Sequence, residues 1–321
     1  MLNARLSFTI IACTVVFAAP ALAQKKVVAY VPNWISLKKF ADEIDYAKLT
    51  HINVAFENPI DALGTLSFHS QTPALITKAH ASGVKVLVSL GGGSASEAAE
   101  MRTRYFGLID TPEHRAAFAK RISDFVLEHH FDGVDVDLEG PAINEHYGPF
   151  IDELAKLLKP MGKLLTSAVS KGYGGKAIPD ATLAQFDFVN IMAYDATGPW
   201  MPKAAGQHAS FAFAQSNVEY WLARGLPKSK AVLGVPFYGY GFGTAFRASS
   251  YSYAEIIAAN PGGEKVDQIG STIWYNGIPT IEAKARYVAE QDLAGVMIWS
   301  LDNDAKGEQS LLSAIGKILP H

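Results

Sequence analysis

One apolar stretch of the chain carries four acidic side chains at close spacing. Residues 131–140 read FDGVDVDLEG and contain Asp132, Asp135, Asp137 and Glu139. Successive side chains of a β-strand point to opposite faces, so Asp135, Asp137 and Glu139 share one face. Carboxylates stacked in this way repel one another, and they cannot all ionise cheaply in a low-dielectric site. The stretch therefore predicts a strand in which one acid keeps its proton near neutral pH, as general acid–base chemistry requires.

Two other interpretations of the acidic stretch are weaker. Hard cations bind carboxylate oxygens, but the chain has no EF-hand loop, the stretch has no histidine, and the nine histidines elsewhere show no metal-ligand spacing. An exposed edge strand would also alternate, but it would more often mix Lys, Thr and Ser with its acids. We therefore predict neither a metal nor any other cofactor.

Composition narrows the class of ligand. The 321 residues carry a formal net charge of −3, which argues against nucleic acid or an anionic membrane as a partner. Aromatic residues make up 11% of the chain, and several stand at the ends of predicted strands. Aromatic rings there suit a sugar, whose apolar ring face stacks on them. Nothing in the sequence predicts an oligomer, and we expect a monomer.

Residues 1–23 have the form of a secretory signal peptide. Arg5 precedes an apolar stretch, and Ala21, Leu22 and Ala23 form an A-x-A cleavage site. Cleavage would remove Cys13, the only cysteine, so the mature chain could form no disulfide. The four residues ending at Cys13 loosely resemble a lipoprotein site, but apolar residues continue past them, which favours simple cleavage. We expect a secreted or periplasmic protein with no membrane attachment after cleavage.

The remainder, residues 24–321, alternates short apolar runs with helical patterns and has no linker, so we predict a single catalytic domain. Alternation of this kind is typical of βα units around a parallel sheet. The predicted strands cover residues 27–31, 52–56, 84–90, 131–140, 164–169, 188–194, 231–237 and 295–300. Eight such units in one domain predict a (β/α)8 TIM barrel. Residues 243–279, between strands seven and eight, form only a short insertion with a helix at 252–259.

Three motifs carry a resemblance to a known family. The sequence DGVDVDLE has the form DxxDxDxE and resembles the signature of glycoside hydrolase family 18, the chitinase family. Ser89-Leu90-Gly91-Gly92 matches its SxGG motif on the strand before, and MAYDATGPW, residues 192–200, resembles its MxYD motif. The resemblance covers nearly the whole mature chain. It implies the same barrel and a hydrolase of β-1,4-linked N-acetylglucosamine polymers or oligomers.

The resemblance also implies catalytic roles. Glu139 would protonate the glycosidic oxygen and then act as the base for water. Asp137 would raise the proton affinity of Glu139 and hold the acetamido N–H of the substrate, while Asp135, lying deeper, could share a proton with Asp137. Tyr194 would align the acetamido oxygen, which attacks the anomeric carbon and forms an oxazolinium ion. Family 18 is among the exceptions to the usual retaining pair of carboxylates.

Further residues are expected to bind the sugar chain. Trp299 would form the floor under the bound sugar, and Asp195 would help to hold the distorted ring. The other expected lining residues are Tyr30, Phe56, Met192 and Tyr238, with Trp200 and Trp34 at neighbouring sugar sites. Asp132, of different parity, is expected to bind nearby backbone, and Trp221 is expected only to pack in the core.

Two departures from the family pattern lie in the expected substrate groove. Gly140 follows Glu139 where many chitinases carry an aromatic residue, and Tyr240 stands where a basic residue often follows the pair Tyr-Gly. The short insertion predicts an open groove that favours internal attack on chains. Two alternative functions remain: a non-catalytic chitin-binding lectin, and an endo-β-N-acetylglucosaminidase acting on N-glycans or cell-wall glycans. Lectins of this fold typically lack the terminal acid of the motif, whereas Glu139 is present.

Overall fold

The structure, a computed structural model, describes residues 24–319. The predicted signal peptide, residues 1–23, lies outside the described residues. Within residues 24–319, no helix is long and apolar enough to cross a membrane.

Parallel strands close into a barrel, as the sequence predicts. The strands of the chain are β1 (Lys26–Pro32), β2 (His51–Ala55), β3 (Lys85–Gly91), β4 (Gly133–Asp137), β5 (Leu164–Val169), β6 (Phe188–Ile191), β7 (Ala231–Pro236), β8 (Tyr238–Gly241), β9 (Tyr251–Ser252), β10 (Gln268–Ile269), β11 (Ile273–Trp274) and β12 (Gly295–Trp299). Around the barrel the order is β1-β12-β7-β6-β5-β4-β3-β2. The strand predicted as the eighth is therefore β12. Each barrel strand follows its neighbour in sequence, which is the connectivity of a (β/α)8 barrel.

Helices cover the outside of the barrel. They are α1 (Leu37–Phe40), α2 (Thr72–Ala81), α3 (Gly93–Glu97), α4 (Ala99–Ile109), α5 (Pro112–Glu128), α6 (Tyr147–Leu158), α7 (Phe211–Ala223), α8 (Tyr253–Ala259), α9 (Ile278–Glu290) and α10 (Leu311–Ile318). The main core lies between the barrel strands and this outer layer and contains the apolar faces of both.

Helix α5 illustrates why the sequence folds in this way. Thr111 caps the helix, its side chain accepting a hydrogen bond from the backbone N–H of His114, and Pro112 occupies the first helical position. Phe118 and Ile122, one turn apart, are buried against the barrel. The helix thus starts and faces inward as its pattern predicts, and it leads directly into β4.

Two strands end three residues earlier than predicted. Strand β4 ends at Asp137, two residues before Glu139, and β6 ends at Ile191, three residues before Tyr194. The chain then leaves the barrel wall, with left-handed backbone at Gly140 (φ 51°) and Asp195 (φ 64°). Glu139 itself remains extended (φ −127°, ψ 157°), so it keeps the side-chain parity predicted for the strand.

The insertion between β7 and β12 contains more regular structure than the sequence predicts. Helix α8 forms at the predicted place, with the side chain of Ser252 capping it. Four short strands around it form an antiparallel sheet in the order β10-β11-β8-β9. Three of these strands have only two residues, too few to show an alternating pattern, which is why the sheet was not predicted.

The packing of α6 on the barrel predicts a difference between two leucines. Leu154 is fully buried, so Leu154→Ala should lower the free energy of unfolding by about 2–5 kcal/mol through a cavity in the core. Leu127, in α5, is 46% exposed, and Leu127→Ala should change it by less than about 0.5 kcal/mol. Denaturant unfolding measures both values. Equal losses in the two variants would contradict the placement of the core.

Candidate active site

The acids of β4 lie at the carboxyl end of the barrel, where TIM-barrel sites form. Asp135 is fully buried and accepts four hydrogen bonds. Oδ2 accepts from Tyr30 Oη (2.6 Å) and Ser89 Oγ (2.8 Å), and Oδ1 accepts from Thr166 Oγ1 (2.6 Å) and Asn190 Nδ2 (3.2 Å). Burial raises the pKa of Asp135, and these four donors oppose the increase. The charge of Asp135 acts on its neighbour Asp137, and the sharing of a proton between these two carboxyl groups stays a prediction.

Asp137 lies in a different environment, although it is also buried, at 3% exposed. Its Oδ1 atom has no hydrogen-bond partner within the described part of the chain. Burial raises the pKa of Asp137 well above its ordinary value, and the charges of Glu139 and Asp135 raise it further. An unpaired buried carboxyl oxygen is costly. Asp137 therefore favours its protonated form until a donor reaches it from the mouth of the barrel.

Glu139 is the outermost acid and is half-buried. Its pKa is raised to about 7, first by burial and then by the charges of Asp195 and Glu97. Asp137, the neighbour expected to raise this pKa, also interacts with Glu139, since the charge of Glu139 raises the pKa of Asp137 and the repulsion between two carboxylates is mutual. Burial, which no charge pattern predicts, is the largest cause for Glu139. A carboxyl group that titrates near neutrality can both give and take a proton.

The SxGG motif positions this column of acids. Ser89 donates to Asp135, as described above, and the two glycines supply space. A Cβ at Gly91 would lie 2.3 Å from the backbone oxygen of Asp137, and one at Gly92 would lie 2.4 Å from the ring of Phe56. Both glycines also have positive φ angles, of 106° and 66°. The absence of side chains at these two positions therefore lets the backbone of β4 and the ring of Phe56 pack closely against the end of β3.

Tyr194 and Asp195 follow β6 at the same end of the barrel. The hydroxyl of Tyr194 donates to Met297 Sδ at 3.9 Å, a weak bond because a thioether is a poor acceptor. Burial raises the pKa of Tyr194, and the charge of Asp137 is the next cause, which places the two side chains near each other. Tyr194 therefore has a neutral hydroxyl that can turn to a ligand.

Asp195 is held by neutral donors. Its Oδ1 accepts from Tyr238 Oη (2.5 Å) and Tyr240 Oη (3.0 Å). The buried ring of His208 accepts from the backbone N–H of Asp195 at 3.4 Å through Nδ1, and its Nε2 lies 3.3 Å from the carbonyl oxygen of Tyr238, to which it can donate. Tyr240, noted above as a departure from the family pattern, thus donates a hydrogen bond to Asp195.

An aromatic floor lies beside the acids. Phe56 stacks on Trp299, with ring centroids 5.7 Å apart and planes at 25°, and Tyr30 packs against the same indole at 5.4 Å. Met192 is buried in this cluster, which Tyr194 also contacts. The structure therefore brings together the lining residues Tyr30, Phe56, Met192, Tyr194 and Trp299.

Other aromatic residues lie farther out. Trp200 is 55% exposed and packs edge-on against Tyr240 at 5.5 Å, and Trp34 is 65% exposed and lies 6.5 Å from Phe56. Trp221 is fully buried in the main core, as expected. Asp132 accepts the backbone N–H of Val86 at 2.7 Å, again as expected.

Sequence reasoning missed several residues of the site. Trp274, on β11, packs against an aromatic cluster of Tyr238, Tyr240 and Phe242. Tyr194 and Trp299 pack against the same cluster. Glu97 acts on Glu139 by charge, and His208 supports Asp195. Trp274 belongs to a strand too short to predict, and the side chains of Glu97 and His208 reach the site from helix α3 and a loop. No local pattern marked these three positions.

The arrangement supports proton transfer beside an aromatic surface. Glu139 has a pKa of about 7, Oδ1 of Asp137 has no partner within residues 24–319, and the charges of both acids raise the pKa of Tyr194. The neighbouring aromatic floor offers an apolar face of the kind on which sugar rings stack. These features belong together in a hydrolytic site of the acid–base type.

Comparison with known proteins agrees with this geometry. The family model for glycosyl hydrolases family 18 matches residues 26–304. The crystal structure of the GH18 chitinase ChiB of Flavobacterium johnsoniae is similar, with 42% identity, a TM-score of 0.86, and coverage of 92% of this chain and 94% of that one. A mutant of the second catalytic domain of the Ostrinia furnacalis Group II chitinase, solved in complex with a chitooligosaccharide, (NAG)5, shows 26% identity, a TM-score of 0.78, and coverage of 92% and 96%.

A curated relative is much longer than this chain. "Probable chitinase 10" of Drosophila melanogaster is 25% identical over 92% of this chain, and the match spans 16% of that protein. The family match, in contrast, extends through all eight barrel strands, from β1 to β12. The chain therefore belongs to glycosyl hydrolases family 18.

Proposed function

We propose that this protein is a chitinase that hydrolyses β-1,4 linkages between N-acetylglucosamine residues with retention of configuration. The observation that carries the proposal is the pairing of Glu139, whose pKa is about 7, with the buried and partly unpaired carboxyl of Asp137. The first can donate and recover a proton at neutral pH. The second can accept an N–H group from a substrate.

In the first step, protonated Glu139 transfers its proton to the glycosidic oxygen. The acetamido carbonyl oxygen of the same sugar attacks the anomeric carbon, and the bond to the leaving sugar breaks. The leaving sugar departs with the proton as a hydroxyl group, and a cyclic oxazolinium ion remains. Using a nucleophile within the substrate avoids the entropy cost of a second reactant, worth about 7–11 kcal/mol in well-oriented cases.

In the second step, ionised Glu139 takes a proton from water while the water oxygen attacks the anomeric carbon. The oxazolinium ring opens, the acetamido group is restored, and Glu139 is protonated again. Two inversions at one carbon leave the product with the β configuration of the substrate.

Neighbouring residues stabilise the cyclic ion. When the acetamido N–H donates to Oδ1 of Asp137, the proton of Asp137 passes to Asp135, and the negative charge left on Asp137 offsets the positive charge of the ring. The weakly bonded hydroxyl of Tyr194 donates to the acetamido oxygen and aligns it for attack. Asp195 holds the distorted sugar from the other side of the cleft, and the bound sugar stacks on Trp299.

The substrate class follows from the acetamido group. The (NAG)5 complex of a similar family 18 domain supports a chitooligosaccharide ligand. The small insertion favours an open groove and internal cleavage of chains, for which mixed products from long oligomers are expected, rather than strict release of dimers from one end. An endo-β-N-acetylglucosaminidase acting on N-glycans or cell-wall glycans would use the same groups, so such glycans belong in any substrate panel.

Replacing the proton donor tests the proposal. Chitotetraose should be cleaved to products whose first-formed anomer, followed by NMR, is β, and Glu139→Gln should lower kcat by at least about 100-fold because no group then protonates the leaving oxygen. Cellotetraose, with hydroxyl in place of acetamido groups, should not be cleaved by the wild type.

Three outcomes separate the alternatives. Equal rates in wild type and Glu139→Gln would remove Glu139 from its role. Tight chitotetraose binding without cleavage by the wild type would establish the lectin instead. Cleavage of cellotetraose at a similar rate would show that the substrate's acetamido group is not the nucleophile.

The charge of Asp195 should set the alkaline limit of activity. Glu139 must be protonated in the first step, so kcat/KM should fall as pH rises through its pKa of about 7. Because the Asp195 charge raises that pKa, Asp195→Asn should move the alkaline limb to lower pH. Glu97→Gln should move it in the same direction, but less so at high salt, since Glu97 is exposed. A limb that stays fixed or moves to higher pH in Asp195→Asn would contradict this assignment.

We also propose that the protein is exported and that residues 1–23 are removed. The apolar stretch and the A-x-A site at Ala21–Ala23 support this proposal. The expected N-terminal residue of the exported protein, identified by N-terminal sequencing, is Gln24. Recovery of active protein that retains residues 1–23 inside the cell would contradict it.

A further inference from the structure

A tyrosine outside the expected site packs against the residue that follows the proton donor. Tyr173 belongs to the loop that follows β5, and it is 47% exposed. Its ring lies over Gly140, the residue immediately after Glu139. A Cβ built on Gly140 would be 2.2 Å from Cζ and 2.3 Å from Cε1 of this ring. The ring therefore occupies the space that a side chain at position 140 would fill.

Glycines on both sides make this placement possible. Gly140 has a φ angle of 51° and Gly174 one of 81°, in the left-handed region where other residues are strained. A Cβ at Gly174 would lie 2.5 Å from the backbone nitrogen of Gly140, so the two loops are in close backbone contact. The loop after β4 and the loop after β5 can approach this closely only because neither glycine has a side chain.

Backbone hydrogen bonds fix the same contact. The N–H of Gly140 donates to the carbonyl oxygen of Tyr173 at 3.4 Å, and the N–H of Tyr173 donates to Ser170 Oγ at 3.1 Å. The tyrosine is thus held from its own backbone and supported underneath by Gly140. Almost half of its surface remains open, although burying an aromatic ring is favourable.

The order of the strands around the barrel determines which sugar of a bound chain could contact the ring of Tyr173. Strand β4, with Glu139, lies four strands from β12, with Trp299, in either direction around the barrel, so the two are opposite each other. Strand β5, which leads to Tyr173, is next to β4. A sugar resting on Trp299 with its glycosidic oxygen at Glu139 would direct the following sugar across the mouth, toward the side where Tyr173 lies.

We infer that Tyr173 is a stacking surface for the sugar on the leaving-group side of the cleaved bond. This inference rests on the proposed function. An N-acetylglucosamine ring has an apolar face that matches the open face of the tyrosine, and the contact would position the leaving sugar without taking part in proton transfer. Tyr173 is therefore a specificity-determining residue, and Gly140 and Gly174 seat it.

Two substrates distinguish the stacking role of Tyr173 from a general effect of its substitution on the active site. Chitohexaose cleavage requires sugars on the leaving-group side, whereas hydrolysis of chitobiose oxazoline, the cyclic intermediate supplied directly, involves no leaving sugar. Tyr173→Ala should lower kcat/KM for chitohexaose by about tenfold, the value of one aromatic stacking contact. It should leave the rate of enzyme-catalysed oxazoline hydrolysis unchanged.

Tyr173→Phe is the matched control, because it keeps the ring and removes only the hydroxyl, and it should behave as wild type with both substrates. A wild type that cleaves chitohexaose and a Tyr173→Ala variant that cleaves it equally well would overturn the inference but not the proposed function. Equal losses with both substrates would also overturn it, since they would show general damage to the site. A folded wild type inactive on both substrates would instead refute the proposed function.

Discussion

The cost of burying negative charge determines the arrangement of this site. Three carboxyl groups follow one another on and after β4, and each meets that cost differently. Four hydrogen-bond donors stabilise the buried carboxyl group of Asp135. Within the described residues, Oδ1 of Asp137 has no hydrogen-bond partner, and burial raises the pKa of this carboxyl group well above its ordinary value. Glu139, at the edge of solvent, titrates near neutrality. From Asp135 on β4 to Glu139 in the loop after it, the carboxyl groups therefore change from fully hydrogen-bonded to able to transfer a proton.

The surrounding structure keeps this gradient in place through close contacts. Glycines at positions 91 and 92 admit the backbone of β4 and the ring of Phe56, and the glycine at 140 admits Tyr173. Two tyrosine hydroxyls hold Asp195, and its charge acts on Glu139. The site thus depends on where side chains are missing as much as on where the acids stand.

Much of this could be predicted from the sequence. The period of two in DGVDVDLEG gave the shared face of the acids, and the repeated strand and helix patterns gave the barrel. These patterns can be recognised in the sequence because most barrel strands are long enough to contain a repeat of alternating or apolar residues. Thr111 and Pro112 also marked the start of α5 correctly, since helix capping is a local interaction.

The remainder could not be predicted because it depends on contacts between distant segments. The four donors to Asp135 come from β1, β3, β5 and β6, and no local pattern reveals how they converge. Trp274 reaches the site from a two-residue strand. The main causes of the high pKa of Glu139 are burial and the charges of Asp195, in the loop after β6, and Glu97, in α3, and they likewise arise only when the chain is folded.

Glu139 holds its proton near neutral pH because of its position in the fold. A pH titration of the protein with ¹³C-labelled glutamate, with the Glu139 carboxyl signal assigned by its loss in Glu139→Gln, measures this directly. We expect a midpoint near pH 7, against about 4.3 for an unperturbed glutamate. A midpoint close to the unperturbed value would contradict it.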